Sequence, residues 1–291
     1  MMDLTDILAA ARGIRPSIRH TPLIPSPTLS DLTGGDIWLK LECWQPTGSF
    51  KVRGALNKLR LLPAEVKARG IVTASAGNHG LGVAHAAASL GDVAATIFVP
   101  ETAPQAKVAK LRTYPVTLHQ QGATYEDAHQ AAADFAARTG ALEISAYDDV
   151  DVIAGQGTMA LEMLADLPEI DVVLAPVGGG GMLAGVATVL RAMSPGTRLV
   201  GVQPEASPAA LLSYRDGVAY DPYDHAPTLA DGLAGGFGAT PFALTRDQPP
   251  EIVLSDEATM RRAVYTLLAR HQLVVEPSGA IAIAPLLAGE I

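Results

Sequence analysis

The sequence of 291 residues has little of several features that mark other classes of protein. Its one cysteine, Cys43, cannot form a disulfide within the chain, which indicates a reducing compartment. No apolar run approaches the roughly 20 residues of a membrane span, and the acidic N-terminus lacks the apolar region of a signal peptide. The net charge is −9 without any Lys/Arg cluster, which argues against nucleic-acid and membrane partners. A cytoplasmic protein is expected.

Short apolar runs alternate with helical patterns along the chain, which predicts an α/β fold of βαβ units with mostly parallel sheets. Two separated sets of such units predict two domains with a cleft between them. Residues 204–245 are rich in Gly, Pro and Tyr and are expected to be irregular. Ser255 is expected to be the N-cap of a helix over 256–270.

One stretch places a lysine in a chemically unusual position. A strand over 37–41 leads into Thr47-Gly48-Ser49-Phe50-Lys51, and a helix is predicted over 50–61. Lys51 therefore lies at a helix N-terminus, where the helix dipole disfavours a protonated amine. Lysine is also the side chain that shifts its pKa readily and condenses with aldehydes. For a lysine taken alone, exposure to solvent is the ordinary interpretation.

Four glycines, Gly178, Gly179, Gly180 and Gly181, follow an apolar strand over 171–177 and precede a helix predicted from Met182. Glycines let backbone N–H groups approach an anion, and a helix N-terminus favours negative charge, so a phosphate is the natural ligand. The Gly-Lys-Ser/Thr ending of a nucleotide P-loop is missing. The spacing of Gly179, Gly181 and Ala184 does fit a relaxed dinucleotide fingerprint, so a nicotinamide-dependent dehydrogenase remains a competing interpretation.

A second turn, Ser75-Ala76-Gly77-Asn78-His79, joins a strand over 70–75 to a helix predicted over 80–90. Its free N–H groups and polar side chains suit a carboxylate. Taken alone, His79 is more typical of a structural histidine and Asn78 of an ordinary turn residue. A cofactor with both an aldehyde and a phosphate connects Lys51 with the four glycines. Pyridoxal phosphate (PLP) is that cofactor, and an amino-acid substrate supplies the carboxylate.

These motifs resemble those of the threonine/serine dehydratases, which belong to the fold type II (tryptophan-synthase-β-like) PLP enzymes together with serine racemase. The similarity runs from about residue 14 to the end and keeps the family's order. Its motifs are Lys40–Ala55, Ser75–His79, Val152–Thr158, Gly178–Gly181, Ala230–Gly232 and Glu276–Gly279.

The resemblance implies a role for each motif residue. Lys51 binds the cofactor as a Schiff base and then acts as the base at Cα. Phe50 packs beside the pyridine ring, and Asn78 hydrogen-bonds its phenolic oxygen. The phosphate is held by Gly178, Gly179, Gly180, Gly181 and the N–H of Met182. The substrate carboxylate is bound by the turn Ser75, Ala76, Gly77, Asn78 and His79.

The resemblance also implies the architecture and the reaction. A large PLP-binding domain, residues 1–64 and 147–291, contains an inserted small domain, residues 65–146. Each has a mostly parallel, open, twisted sheet flanked by helices, and the cofactor lies in the cleft between them. The reaction is β-elimination from L-threonine or L-serine, giving a 2-oxo acid and ammonia. Relatives often pair as dimers, which predicts a homodimer or a higher homo-oligomer.

The sequence departs from the family pattern at two places outside these motifs. Some relatives bind a divalent cation through two acidic residues whose positions are Gln203 and Ala209 here, so no metal site is expected. The family usually continues into a final strand whose turn faces the pyridine nitrogen, whereas this sequence stops at Ile291. An exposed sheet edge and weakened cofactor binding are the expected consequences.

Several alternatives stay open within the same fold. They are a dehydratase of a bulkier β-hydroxy amino acid such as hydroxyaspartate or phenylserine, a β-replacement or threonine synthase, a serine racemase, and an impaired protein that binds PLP without turnover. The dehydrogenase interpretation leaves Lys51 and the Asn78-His79 turn without a role.

Ala76 generates a prediction about the stereochemical outcome. Racemases that resemble this chain carry a serine at this position as the acid/base on the second face of Cα, and alanine has no proton to give. We therefore expect dehydration with little racemisation. Chiral analysis of serine recovered from the reaction tests this, and rapid formation of D-serine would contradict it.

Overall fold

The computed structural model describes residues 2–291. Its helices are α1 (Leu4–Ile14), α2 (Pro27–Thr33), α3 (Lys51–Leu61), α4 (Ala64–Arg69), α5 (Asn78–Leu90), α6 (Gln105–Leu111), α7 (Tyr125–Thr139), α8 (Val150–Asp166), α9 (Gly181–Met193), α10 (Ala209–Asp216), α11 (Ala239–Thr245), α12 (Glu257–His271), α13 (Pro277–Ala280) and α14 (Ala284–Ala288). Its strands are β1 (Leu23–Pro25), β2 (Trp38–Lys40), β3 (Ile71–Ala74), β4 (Ala95–Val99), β5 (Thr117–Gln120), β6 (Leu142–Glu143), β7 (Val172–Pro176), β8 (Arg198–Pro204) and β9 (Glu251–Ser255).

The strands form two parallel sheets and one antiparallel pair. The first sheet has the order β5-β4-β3-β6 and lies within residues 71–143, and the second has the order β7-β8-β9. β1 and β2 pair antiparallel. The predicted α/β class with mostly parallel sheets is confirmed, since each parallel connection runs through a helix. The domain bounds 1–64 with 147–291, and 65–146, stay a prediction.

Glycines bring the central helices into backbone contact. A Cβ on Gly155 of α8 would lie 2.6 Å from the Cα of Gly54 in α3, and one on Gly185 of α9 would lie 2.6 Å from the backbone N of Gly157 in α8. Any larger side chain at these positions would push the helices apart. α8 therefore fixes the distance between the helix that begins at Lys51 and the helix that begins at the four glycines.

A buried ion cluster ties α3 to its surroundings. The guanidinium of Arg53, whose side chain is fully buried, donates to Glu42 at 2.8 and 2.7 Å and to Glu162 of α8 at 2.7 Å through two nitrogens. Thr158 accepts a further hydrogen bond from Arg53 at 3.1 Å, and Lys40 pairs with Glu162 at 2.7 Å. Bidentate pairs of this kind hold the donor in one orientation, so the start of α3 is fixed two residues after Lys51.

Two local predictions were wrong. Residues 204–245 are not wholly irregular, because they contain α10 and α11. The side-chain oxygen of Gln203 accepts from the N–H groups of Ala210 and Leu211 at 3.1 and 3.2 Å, so α10 is capped by a residue of the preceding strand. The N-cap of α12 is Asp256 rather than Ser255, since the Asp256 carboxylate accepts from Thr259 N at 2.6 Å.

Gln203 also occupies one of the two positions where some relatives hold a cation. Within residues 2–291 no group of His, Cys, Asp or Glu side chains has the arrangement of a metal site. In the same part of the chain, no helix has both the length and the apolar character needed to span a membrane.

The ion cluster around Arg53 gives a stability prediction. Arg53→Ala leaves Glu42 and Glu162 facing each other without their shared cation, so we expect a loss of about 3–5 kcal/mol in the free energy of unfolding. Arg198→Ala is the matched control, because Arg198 pairs with Glu251 at 2.7 Å on the half-exposed surface and such pairs contribute about 0–1 kcal/mol. Urea unfolding measures both variants. Equal losses in the two variants would show that the buried cluster contributes no more to the free energy of unfolding than the exposed ion pair.

Candidate active site

Lys51 is the first residue of α3, and its amine lies inside the protein without a carboxylate partner at hydrogen-bond distance. Nζ donates to the carbonyl oxygen of Ala146 at 3.0 Å and lies 5.4 Å from the ring centroid of Phe50. Burial lowers the pKa of Lys51 to about 8, and the negative charge of Glu276 opposes that shift. The direction is the one expected from the sequence, but the larger cause is burial rather than the helix dipole. The amine is therefore poised to lose its proton near neutral pH.

The four glycines form a strand-to-helix turn in which side chains have no room. Gly180 has φ 90°, in the left-handed region that glycine tolerates. A Cβ on Gly179 would overlap the ring of Tyr147, and one on Gly178 would lie 2.9 Å from the Cα of Leu233. α9 begins at Gly181, one residue earlier than predicted. Its first N–H groups, including that of Met182, have no acceptor within the helix.

The turn at residues 75–79 presents a second helix N-terminus to the same cleft. α5 begins at Asn78, two residues earlier than predicted, and its N-cap Gly77 offers no side-chain cap. Because Leu81 N is the first to bond back, to Gly77 O at 3.1 Å, the N–H groups of the three preceding residues stay free. The Ser75 hydroxyl accepts from Gly77 N at 3.2 Å and fixes the turn. Such a turn suits a carboxylate.

Asn78 and His79 have different partners. The amide nitrogen of Asn78 donates to the Glu276 carboxylate at 2.6 Å. His79 is buried, and its Nε2 bonds the Ile144 carbonyl oxygen at 3.0 Å, which requires the proton on that nitrogen. Burial, with the charge of Lys51, lowers the pKa of His79 to about 4. The side chain of His79 is thus a neutral structural group, and what it offers a carboxylate is its backbone N–H.

A single cleft of about 1900 Å³ contains all of these residues. This volume exceeds the 300–1000 Å³ of ordinary ligand sites, because the cleft continues between β2 and β7, each of which has a strand on one side only. Ala76 lies on the opposite wall and packs against apolar residues of the first sheet.

The residues present fit pyridoxal phosphate. The cleft combines a buried amine without an ion-pair partner, a glycine turn at a helix N-terminus whose residues have no room for a Cβ, and a second helix N-terminus suited to a carboxylate. Ser49, directly before Phe50, also lies in this cleft and has a buried hydroxyl without a hydrogen-bond partner.

Comparison with known proteins agrees with this geometry. Residues 14–291 match the family model described as pyridoxal-phosphate dependent enzyme. The chain is similar to an L-threonine ammonia-lyase of Thermotoga maritima, at 41% identity over 99% of this chain and 71% of that protein. The chain belongs to the pyridoxal-phosphate dependent enzymes.

Solved structures of the family agree as well. The processed form of threonine deaminase isoform 2 from Solanum lycopersicum has a TM-score of 0.92 and 34% identity, covering 99% of this chain and 80% of that one. Maize serine racemase has a TM-score of 0.93 and 32% identity, covering 99% and 87%. The predicted family, fold type and cofactor are confirmed.

Three residues of the cleft were given no role from the sequence. Tyr147 covers Gly179, Asp221 accepts from the Tyr147 hydroxyl at 3.0 Å, and Glu276 bonds Asn78. Glu276 opens a family motif, so a role could have been assigned to it. Tyr147 and Asp221 are 74 residues apart, and nothing in either local pattern indicates that they meet.

The glycine turn generates a prediction on cofactor retention. Gly179→Ala forces the ring of Tyr147 to move and narrows the turn, so we expect the dissociation constant for PLP to rise at least about tenfold. Gly196→Ala is the control, because no other residue's atom lies within 4 Å of a Cβ built there. Dialysis followed by a cofactor assay measures both, and equal retention would argue against a phosphate at this turn.

Proposed function

We propose that this protein is a PLP-dependent ammonia-lyase that dehydrates and deaminates L-threonine, and L-serine as a smaller substrate, to a 2-oxo acid and ammonia. One observation carries this proposal: the buried amine of Lys51, with its pKa lowered to about 8, shares a cleft with a glycine turn and a carboxylate-binding turn. The names of similar proteins, L-threonine ammonia-lyase and threonine deaminase, support the substrate.

The chain holds cofactor and substrate through separate groups. Lys51 would hold the aldehyde carbon of PLP, and Phe50 would lie beside its ring. Asn78, whose amide nitrogen donates to Glu276 at 2.6 Å, would hydrogen-bond the phenolic oxygen. The N–H groups at Gly178 to Gly181 and Met182 bind the phosphate. The substrate carboxylate binds at the turn Ser75, Ala76, Gly77, Asn78 and His79, where the N–H groups of Asn78 and His79 at the start of α5 have no acceptor within the helix.

Lys51 is the residue that moves the proton. PLP supplies an electron sink that makes the Cα proton of a bound amino acid acidic. With its pKa lowered to about 8, the Lys51 amine loses its proton far more readily than an ordinary lysine, and in its neutral form it can accept the proton from Cα. Ala76 offers no group to return a proton on the other face. Lys51 can pass the proton it took from Cα to the departing Cβ hydroxyl, which leaves as water, so the outcome is elimination rather than racemisation.

The location and assembly of the protein also remain proposals. We infer a cytoplasmic enzyme, supported by a single cysteine that is only half-buried. A homo-oligomeric state is inferred from the family resemblance.

The test is an assay for 2-oxobutanoate from L-threonine with the purified, PLP-loaded protein. We expect a yellow protein that borohydride bleaches, and turnover that Lys51→Ala abolishes together with the colour. Lys67→Ala is the control, since Lys67 pairs with Asp92 at the surface and has no contact with the cleft. If the wild-type protein is yellow but forms neither 2-oxobutanoate nor pyruvate, it binds PLP without being this lyase.

A further inference from the structure

Asp221 is an acidic side chain in the wall of the cleft to which the reaction described above gives no part. It is solvent-exposed, and it lines the cleft together with Tyr147, Gly235 and Gly236. A Cβ on Gly236 would overlap the Asp221 carboxylate and would lie 2.7 Å from its Cα. The absence of a side chain at Gly236 therefore leaves this carboxylate open to the cleft.

Tyr147 fixes the carboxylate close to the reacting groups. Its hydroxyl donates to the two oxygens of Asp221 at 3.0 and 3.2 Å. The ring of the same tyrosine covers Gly179, and its neighbour Ala146 accepts from Lys51 Nζ at 3.0 Å. Asp221 thus lies one tyrosine side chain away from both the phosphate turn and the catalytic amine.

The charges around Asp221 give it no cationic partner. The negative charge of Asp148 acts on Asp221, and Glu126 is a further acidic residue that lines the cleft. Two surface lysines of α6 also line the cleft, but neither bonds Asp221: Lys107 pairs with Asp231 at 2.9 Å, and Lys110 donates to the carbonyl oxygen of Thr47 at 3.0 Å. Within residues 2–291, no arginine lines the cleft. A substrate with a second carboxylate would therefore meet uncompensated negative charge on this side.

We propose that Asp221, held by Tyr147, is a specificity determinant that admits β-hydroxy amino acids with neutral side chains and rejects those with a side-chain carboxylate. This inference rests on the proposed lyase function and narrows its substrate class. It separates hydroxyaspartate, which is rejected, from threonine, serine and the neutral phenylserine. A negative charge without a counter-ion in the binding site weakens the binding of a negatively charged substrate, which gives specificity for neutral ones.

The variant that tests this is Asp221→Asn, which keeps the size of the side chain and an acceptor for the Tyr147 hydroxyl but removes the charge. We expect kcat/KM for 3-hydroxyaspartate relative to L-threonine to rise at least about tenfold, chiefly through a lower KM for hydroxyaspartate. Tyr147→Phe keeps the ring over Gly179 and frees Asp221, so it should change the ratio in the same direction but less. Asp224→Asn is the matched control: it removes the same charge from the same segment at a residue outside the cleft.

A binding experiment makes the inference independent of turnover. Equilibrium dialysis with the PLP-loaded protein compares L-aspartate with L-2-aminobutyrate, which have the two side-chain types but no leaving hydroxyl. Asp221→Asn should tighten aspartate at least about tenfold relative to aminobutyrate, and Asp224→Asn should leave the ratio within twofold.

An unchanged ratio in Asp221→Asn, or an equal change in Asp224→Asn, would overturn the inference. If the protein fails to turn over threonine but shows the expected dialysis result, the proposed function fails while the specificity role of Asp221 stands.

Discussion

The burial of the Lys51 amine without a directly bonded counter-charge is the constraint on which the site depends. Arg53, two residues later on α3, shows the usual solution for a buried cation, because two carboxylates and a threonine hydroxyl saturate its guanidinium. Lys51 receives a single carbonyl oxygen instead. The rigid Arg53 cluster holds the start of the helix in place. The neighbouring Lys51 amine has no ion-pair partner, so it stays reactive.

Helix N-termini supply most of the remaining binding groups. The glycine turn before α9 and the uncapped turn before α5 open into one cleft because α8 contacts α3 and α9 through glycines, and α3 packs against α5. In neither turn does a side chain accept a hydrogen bond from the N–H groups of the first helical turn. α7 and α12 differ, because Thr124 and Asp256 cap their N-termini. Leaving caps out at these two sites costs helix stability, typically about 1 kcal/mol each, and leaves donors for ligands.

Specificity depends on a different kind of contact. Tyr147 and Asp221 meet across 74 residues of sequence, and the room for Asp221 comes from the missing side chain at Gly236. Contacts of this type lie on loops carried by a rigid framework, so they can vary while the chemistry at Lys51 stays the same. The segment that carries Asp221 also follows α10, which the sequence pattern missed because its cap, Gln203, lies on β8.

Local patterns were sufficient to predict the chemistry of the site, because glycine turns, a lysine after a turn and strand–helix alternation each have local physical causes. Lys51, the four glycines and the Ser75–His79 turn could therefore be predicted, along with the parallel α/β class. The pKa values and hydrogen-bond partners of those groups follow from the tertiary structure. Burial by distant segments lowers the pKa of Lys51, the Ile144 carbonyl makes His79 a neutral structural residue, and Glu276 holds Asn78. These effects depend on groups from 65 to 198 residues away in the sequence, which no local pattern records.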